Sequence, residues 1–574
     1  MKTARAFRLF AHLSLSAATA ATVLASGALL TACADENDPA TWVKRLDDPA
    51  QRPAAIKRLS EFFDTAMSNA KKNREDAQVR TLLDTIAEPL TKQYTAGNLD
   101  DKTRKDLIKL LADTRDPRTA PALAKAFNEF EPKKTDDDVK YASLSVKGMA
   151  EAGKAPDQSL QDALWNCFSK FHASETNLSE LVKGLHDAML AVKSPSWGPK
   201  CVEKLAVPVK DPKDPTEARD QIQFSQLTCI QVEKELKFAP SVKSLVNVLL
   251  TPTKKDLAAS ASSALMTMPK EAEPMLIAAL VGSDPDFAKL EALWDQKSYI
   301  MVVGESLAYL GRPAGRDAAL TALAAADTDA NRAALALSLY RYPADPRIVP
   351  AFLDAYKKIP DGSSNDMFGG RNPHAPLMSV SANLYDSSIA DWVLKEIATA
   401  KDDERDATAL AGIESAIKVM APNQVGAVTA AFAKDQALPK DKQVYTPREA
   451  EMLKAASAVE TKCAQDPACY VKVLDEPIPS SPPTANMAAV KATYMAAIYG
   501  NDATRQALVD HLDKVHNPGV RLALVQAVMH LAPKGDAAAA TAFEKVVTAD
   551  QASGTTTGDN DVARIALLLR ARTM

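Results

Sequence analysis

The chain has 574 residues, 46% of them hydrophobic and 25% charged, an ordinary globular composition with enough apolar material for a large core. Its 73 acidic against 69 basic side chains give a net charge of -4, which makes it a poor candidate for nucleic-acid binding, driven as that is by Lys and Arg neutralising phosphates. Aromatic residues make up only 6%, and alanine and leucine dominate the apolar set, which favours helix over sheet.

The N-terminus reads as a targeting segment rather than as part of the fold. Lys2, Arg5 and Arg8 form a positive start, and no charged residue occurs from Leu9 to Ala34. The apolar run ends in Leu30-Thr31-Ala32-Cys33, a branched residue and two small ones before a cysteine. That tetrapeptide resembles the lipobox of bacterial lipoproteins. The resemblance implies a signal peptide over 1–32, a diacylglycerol thioether with further acylation (palmitate-class chains) on Cys33, and a lipidated tether over 33–41. An uncleaved membrane helix and a plain signal peptide are the alternatives, since the uncharged stretch is long enough to span. Two or three acyl chains would anchor the protein stably to a membrane. Ala34 directly after the cysteine points to the outer membrane, facing the periplasm or the cell surface. The inner membrane stays open.

From Trp42 onward one unit recurs: an amphipathic helix, a short turn, a second amphipathic helix and a loop. Asp116-Pro-Arg-Thr-Ala-Pro121 and Asp345-Pro-Arg-Ile-Val-Pro350 open second helices with the same turn. Proline suits a helix's first turn, where its missing N–H has no partner to lose. Leu410, Ile413, Ile417 and Met420 form one apolar stripe in a first helix. Stripes on two sides over 219–236 mark a helix packed between neighbours. Pairs are expected near 296–326, 329–358, 373–399, 403–434, 446–474, 486–515 and 517–548, with others before them and a closing helix near 559–571. The period is roughly 38 residues, near the short end of HEAT and armadillo arrays.

These turns, together with Asn517-Pro-Gly-Val-Arg-Leu and Asp136-Asp-Asp-Val-Lys-Tyr, resemble the HEAT repeat in its bacterial HEAT-like form. The resemblance implies an all-α fold over 42–574, a right-handed alpha-alpha superhelix of about 13 helix pairs. It also implies a concave protein-binding surface lined by second helices. Tetratricopeptide repeats have a similar length but their Trp and Leu-Gly positions do not recur.

The stretch 476–485, with Pro477, Pro479, Pro482 and Pro483, reads as a stiff connector. Residues 359–373 form the most irregular insertion, where Met367 and Phe368 offer either an exposed anchor for a partner or part of a surface loop. Cys463 and Cys469 bracket a proline-broken turn and suit a disulfide in an oxidising compartment; a metal site would need further ligands that are not nearby. Cys167, Cys201 and Cys229 lie on apolar stripes as buried thiols, one pair of which is free to bridge.

No catalytic, cofactor-binding or metal-binding motif emerges. Ser68-Asn-Ala-Lys71 and Ser415-Ala-Ile-Lys418 match Ser-x-x-Lys only as a loose four-residue pattern, without its companion motifs. His511 and His516, five apart, read as solvated or capping residues. The expected function is a non-enzymatic interaction scaffold for envelope proteins, held at the membrane by its N-terminal lipid. The alternative is a HEAT-like lyase or ligand-loading accessory, which a convergent set of polar residues would favour.

Overall fold

A computed structural model describes residues 35–542 and 545, apart from 295, 364–369, 400–404, 480–482, 513 and 533–536. Cys33, the signal segment, Met367, Phe368 and the closing helix near 559–571 therefore lie outside the described residues. The chain divides into two compact units, Met1–Leu110 and Leu111–Met574. Among the described residues there is no β-strand, and no helix is long and apolar enough to cross a membrane.

In the first unit the helix Pro39–Arg45 begins inside the stretch read as a tether, because Asp38 caps it by accepting the Ala40 N–H. The Trp42 indole donates to the Glu36 carbonyl, and the Arg45 guanidinium lies 4.2 Å from the Trp42 ring centre while pairing with Glu36. The helices Arg52–Asn69 and Ala77–Ala96 bury Ile56, Leu59, Phe63, Ile86 and Leu90.

The second unit is an α-solenoid of stacked helix pairs. Within it, helices pack mainly on the next-but-one helix in the chain: Asp136–Glu151 on Ser179–Val192, Gln296–Leu310 on Asp329–Leu339, and His374–Val380 on Arg405–Val419. Near the end, Pro447–Cys463 packs on Met487–Tyr499, which packs on Pro518–Leu531. Helices in the middle of such a stack lose their polar face. Met487–Tyr499 buries Met487, Ala489, Ala492, Met495 and Ala496 around its circumference.

The repeated turn has one local chemistry. In Asp116-Pro-Arg and Asp345-Pro-Arg, the aspartate accepts the N–H two residues on, and the arginine at that position folds back onto the same carboxylate. The same cap closes the Asp-Pro turns at Asp214, Asp284 and Asp466. An aspartate cap with proline at the first helical position satisfies one backbone donor and removes another. The Arg347 hydrogen bonds hold the Asp345 carboxyl at about 2, so this pairing is lost only when the pH falls below the usual carboxylate range.

A disulfide joins Cys463 to Cys469, where the chain doubles back through Ala464 and Gln465 in left-handed backbone conformation. Closing so short a loop contributes about 2 kcal/mol on the chain-entropy estimate. Cys167, Cys201 and Cys229 are free and buried.

Candidate functional site

Three places gather titratable or aromatic side chains inside the second unit. The first holds Cys201, Cys229 and Glu233. Glu233 is fully buried one turn beyond Cys229, and neither of its carboxylate oxygens has a hydrogen-bond partner. Burial pushes its carboxyl up to about 8, and contact with Cys229 together with burial raises the Cys201 thiol far above its ordinary value. Cys201 is thus an inert thiol, not an activated one.

A raised carboxyl also sets a pH dependence. Between 4.5 and about 8 the unfolded chain gives up this proton while the folded one keeps it, so folding stability falls as pH rises through that window. Glu233→Gln is expected to abolish that decline and to stabilise the protein by about 2 kcal/mol at pH 8. Urea midpoints at pH 5 and pH 8 measure it; parallel slopes for the two proteins would contradict the assignment.

The second place is a buried ion pair. Lys491 is 0% exposed and Glu460 1%, with their charged atoms 3.3 Å apart. Glu460 also accepts the Tyr470 hydroxyl at 2.9 Å, and Lys491 donates to the Met420 carbonyl. Burial brings the Lys491 ammonium down to about 8. Every group in this cluster is engaged, so it is structural.

The third place is open. One face of Pro518–Leu531, carrying Gly519, Leu522, Gln526 and His530, lines two adjoining cavities. The aromatic one, of about 160 Å³, has Tyr309, Tyr340, Tyr342 and Tyr385 in its walls. The Arg341 guanidinium lies 4.9 Å from the ring centres of both Tyr309 and Tyr340 and pairs with Glu305 at 2.9 Å. Tyr385 holds a left-handed backbone, φ 51°, rare for a bulky residue, and its ring packs against Tyr494 and His530. Tyr494 donates to the Asn383 side-chain oxygen, which leaves the Asn383 amide group as a donor at the wall.

The adjoining cavity, about 250 Å³, contains Lys418. The carboxylate in the same wall, Glu414, pairs with Arg448. Lys418 is left with no ion-pair or hydrogen-bond partner among the described residues, and burial lowers its ammonium below the ordinary lysine value. On the far side, a third cavity of about 650 Å³ shares Tyr340, Tyr342, Asn383, Tyr385 and His530 with the aromatic one and runs along the Asp345-Pro-Arg turn over Ile348, Val349 and Leu353.

The site departs from several expectations. The aromatic cavity and the Lys418 cavity are lined by first helices and the turns that follow them, whereas the third also takes Ile348, Val349 and Leu353 from the second helix Ile348–Lys358. His511, read as solvated or capping, is a buried cap at the C-terminal end of Asp502–Asp510, its ring bonded to the Ala507 carbonyl and to Asp475. Ser415 does not face Lys418 as a nucleophile; its hydroxyl is buried and donates to the Met378 carbonyl at 2.8 Å. No cluster suited to a metal ion occurs among the described residues. The aromatic wall was missed altogether, although Tyr340-Arg-Tyr342 is a dense aromatic run in an aromatic-poor chain.

Fold and site together define an α-solenoid with three neighbouring cavities that share lining residues. No protein-family model matches the chain, and no curated protein sequence does. Among solved structures, a chain from the structure of Kap95p binding to RanGDP, described in terms of nuclear import complex assembly, is similar over 93% of this chain and 76% of its own, at 12% identity and a TM-score of 0.33. At that level the likeness carries no inference about activity or partners.

Proposed function

We propose that the chain is an exported lipoprotein, anchored to the membrane through Cys33, that acts as a non-enzymatic scaffold binding other envelope proteins. The observation that carries the binding role is the groove along Pro518–Leu531, three adjoining cavities on one helical stack. Leu30-Thr-Ala-Cys33 supports the anchor, and Ala34 favours the outer membrane. The ligand-loading alternative draws on one observation, the unpartnered Lys418 inside a cavity.

The anchor is tested by Cys33→Ser. Acyl labelling and membrane fractionation should show loss of label and a larger, unprocessed or mislocalised product. Unchanged labelling would remove the lipid from the account. The scaffold is tested by crosslinking intact membranes and identifying proteins joined to the chain.

A further inference from the structure

We propose that the groove beside Pro518–Leu531 is a receptor for an extended peptide segment of a partner protein, with a six-membered aromatic side chain in the tyrosine-lined cavity and a carboxylate on Lys418. This deepens the scaffold reading and rests on it.

Each half of the ligand follows from its cavity. A cavity near 160 Å³ matches one aromatic ring, since an engineered cavity of about 150 Å³ is filled by benzene. Tyrosine faces and the Met529 thioether suit an aromatic guest, and the Gln526 amide, which makes no hydrogen bond among the described residues, is placed for a polar substituent or peptide group. Lys418 requires an anion. Its ammonium lines a cavity and makes no hydrogen bond or ion pair among the described residues, while the Glu414 carboxylate in the same wall pairs with Arg448. An unpaired charge in such a place is costly to keep unless a ligand completes it.

Spacing joins the two halves into a peptide. Gly519 to His530 covers about 16 Å at a helical rise of roughly 1.5 Å per residue. The two cavities share Leu522 and Gln526, which lie about 6 Å apart along that face. An extended chain advances about 3.3 Å per residue, which places ring and carboxylate two residues apart. The third cavity, with an apolar floor of Ile348, Val349 and Leu353, gives the chain a path onward. A compact aromatic acid would leave that path empty.

The test uses the soluble mature protein and calorimetric titration with acetyl-Tyr-Ala-Glu-amide and its reverse, acetyl-Glu-Ala-Tyr-amide. One order should bind, and replacing its Glu by Gln or its Tyr by Ala should each weaken binding about tenfold or more. Lys418→Met should reproduce the Gln result while leaving the unfolding temperature unchanged or higher, because it removes a desolvated charge. A merely structural lysine would lower stability and leave the Glu-versus-Gln preference intact. Leu522→Arg, at a side chain 39% exposed, should block the groove without disturbing the core. No binding by either order, or phenylacetate binding as tightly as the tripeptide, would overturn the peptide assignment. Partners still captured by membrane crosslinking in that case would leave the scaffold itself standing.

Discussion

Lys491→Ala is expected to destabilise the second unit by about 3–5 kcal/mol, among the largest effects of any single substitution in this chain. The lysine is worth little as a favourable pair, because both charges are taken out of water and their attraction mostly offsets that loss. Its removal is what costs. Glu460 would keep only Tyr470 as a partner, and the Met420 carbonyl would lose its donor. The double variant Lys491→Met with Glu460→Gln removes both charges and should return to within about 1.5 kcal/mol of the native protein. Native stability should also rise between pH 8 and pH 10.5, where the unfolded lysine still holds a proton that the folded one has released. The double variant should lack that contribution. Urea unfolding of the three proteins at pH 7 and pH 9 decides the matter; a single variant as stable as the native protein would show that the pair is not buried as described.

The second large effect concerns Trp197, which is fully buried with its ring 6.0 Å from Trp165, at the start of the helix Gly198–Leu205. Trp197→Ala is expected to cost about 3–5 kcal/mol through lost burial and the cavity left behind. Collapse to fill the gap is restricted, because a side-chain carbon at Gly198 would already lie 2.9 Å from the Phe238 ring. Trp197→Phe should cost much less, since the indole N–H has no hydrogen-bond partner to lose. In a stacked array each repeat leans on its neighbours alone. The alanine variant should therefore unfold in two calorimetric steps, the weakened repeats melting first. One cooperative transition at the native temperature would contradict this packing.

The regular part of the architecture was legible because it is written at short range. Ile413, Ile417 and Met420 recur at helical spacing and are buried, and the Asp-Pro-Arg turn displays its cap and its arginine clasp within three residues. The site was not legible because it depends on the curvature of the stack. Tyr385 meets Tyr494 and His530, and Lys491 reaches the Met420 carbonyl, across sequence separations that no local period encodes. Lys418 shows the same limit. In the sequence it is one end of a chance Ser-x-x-Lys match; in the fold it lines a cavity, while that serine's hydroxyl donates to the Met378 carbonyl.

The central claim, that this solenoid binds a partner's peptide through the groove along Pro518–Leu531, is tested most directly by site-specific photocrosslinking in membranes of the source cells. A photoreactive residue in place of Leu522 should yield a discrete protein adduct that acetyl-Tyr-Ala-Glu-amide, or the reverse-order peptide, competes away. The same residue in place of Val281, 58% exposed and outside the groove walls, should not. Equal adducts at both positions, or none at Leu522, would contradict the account.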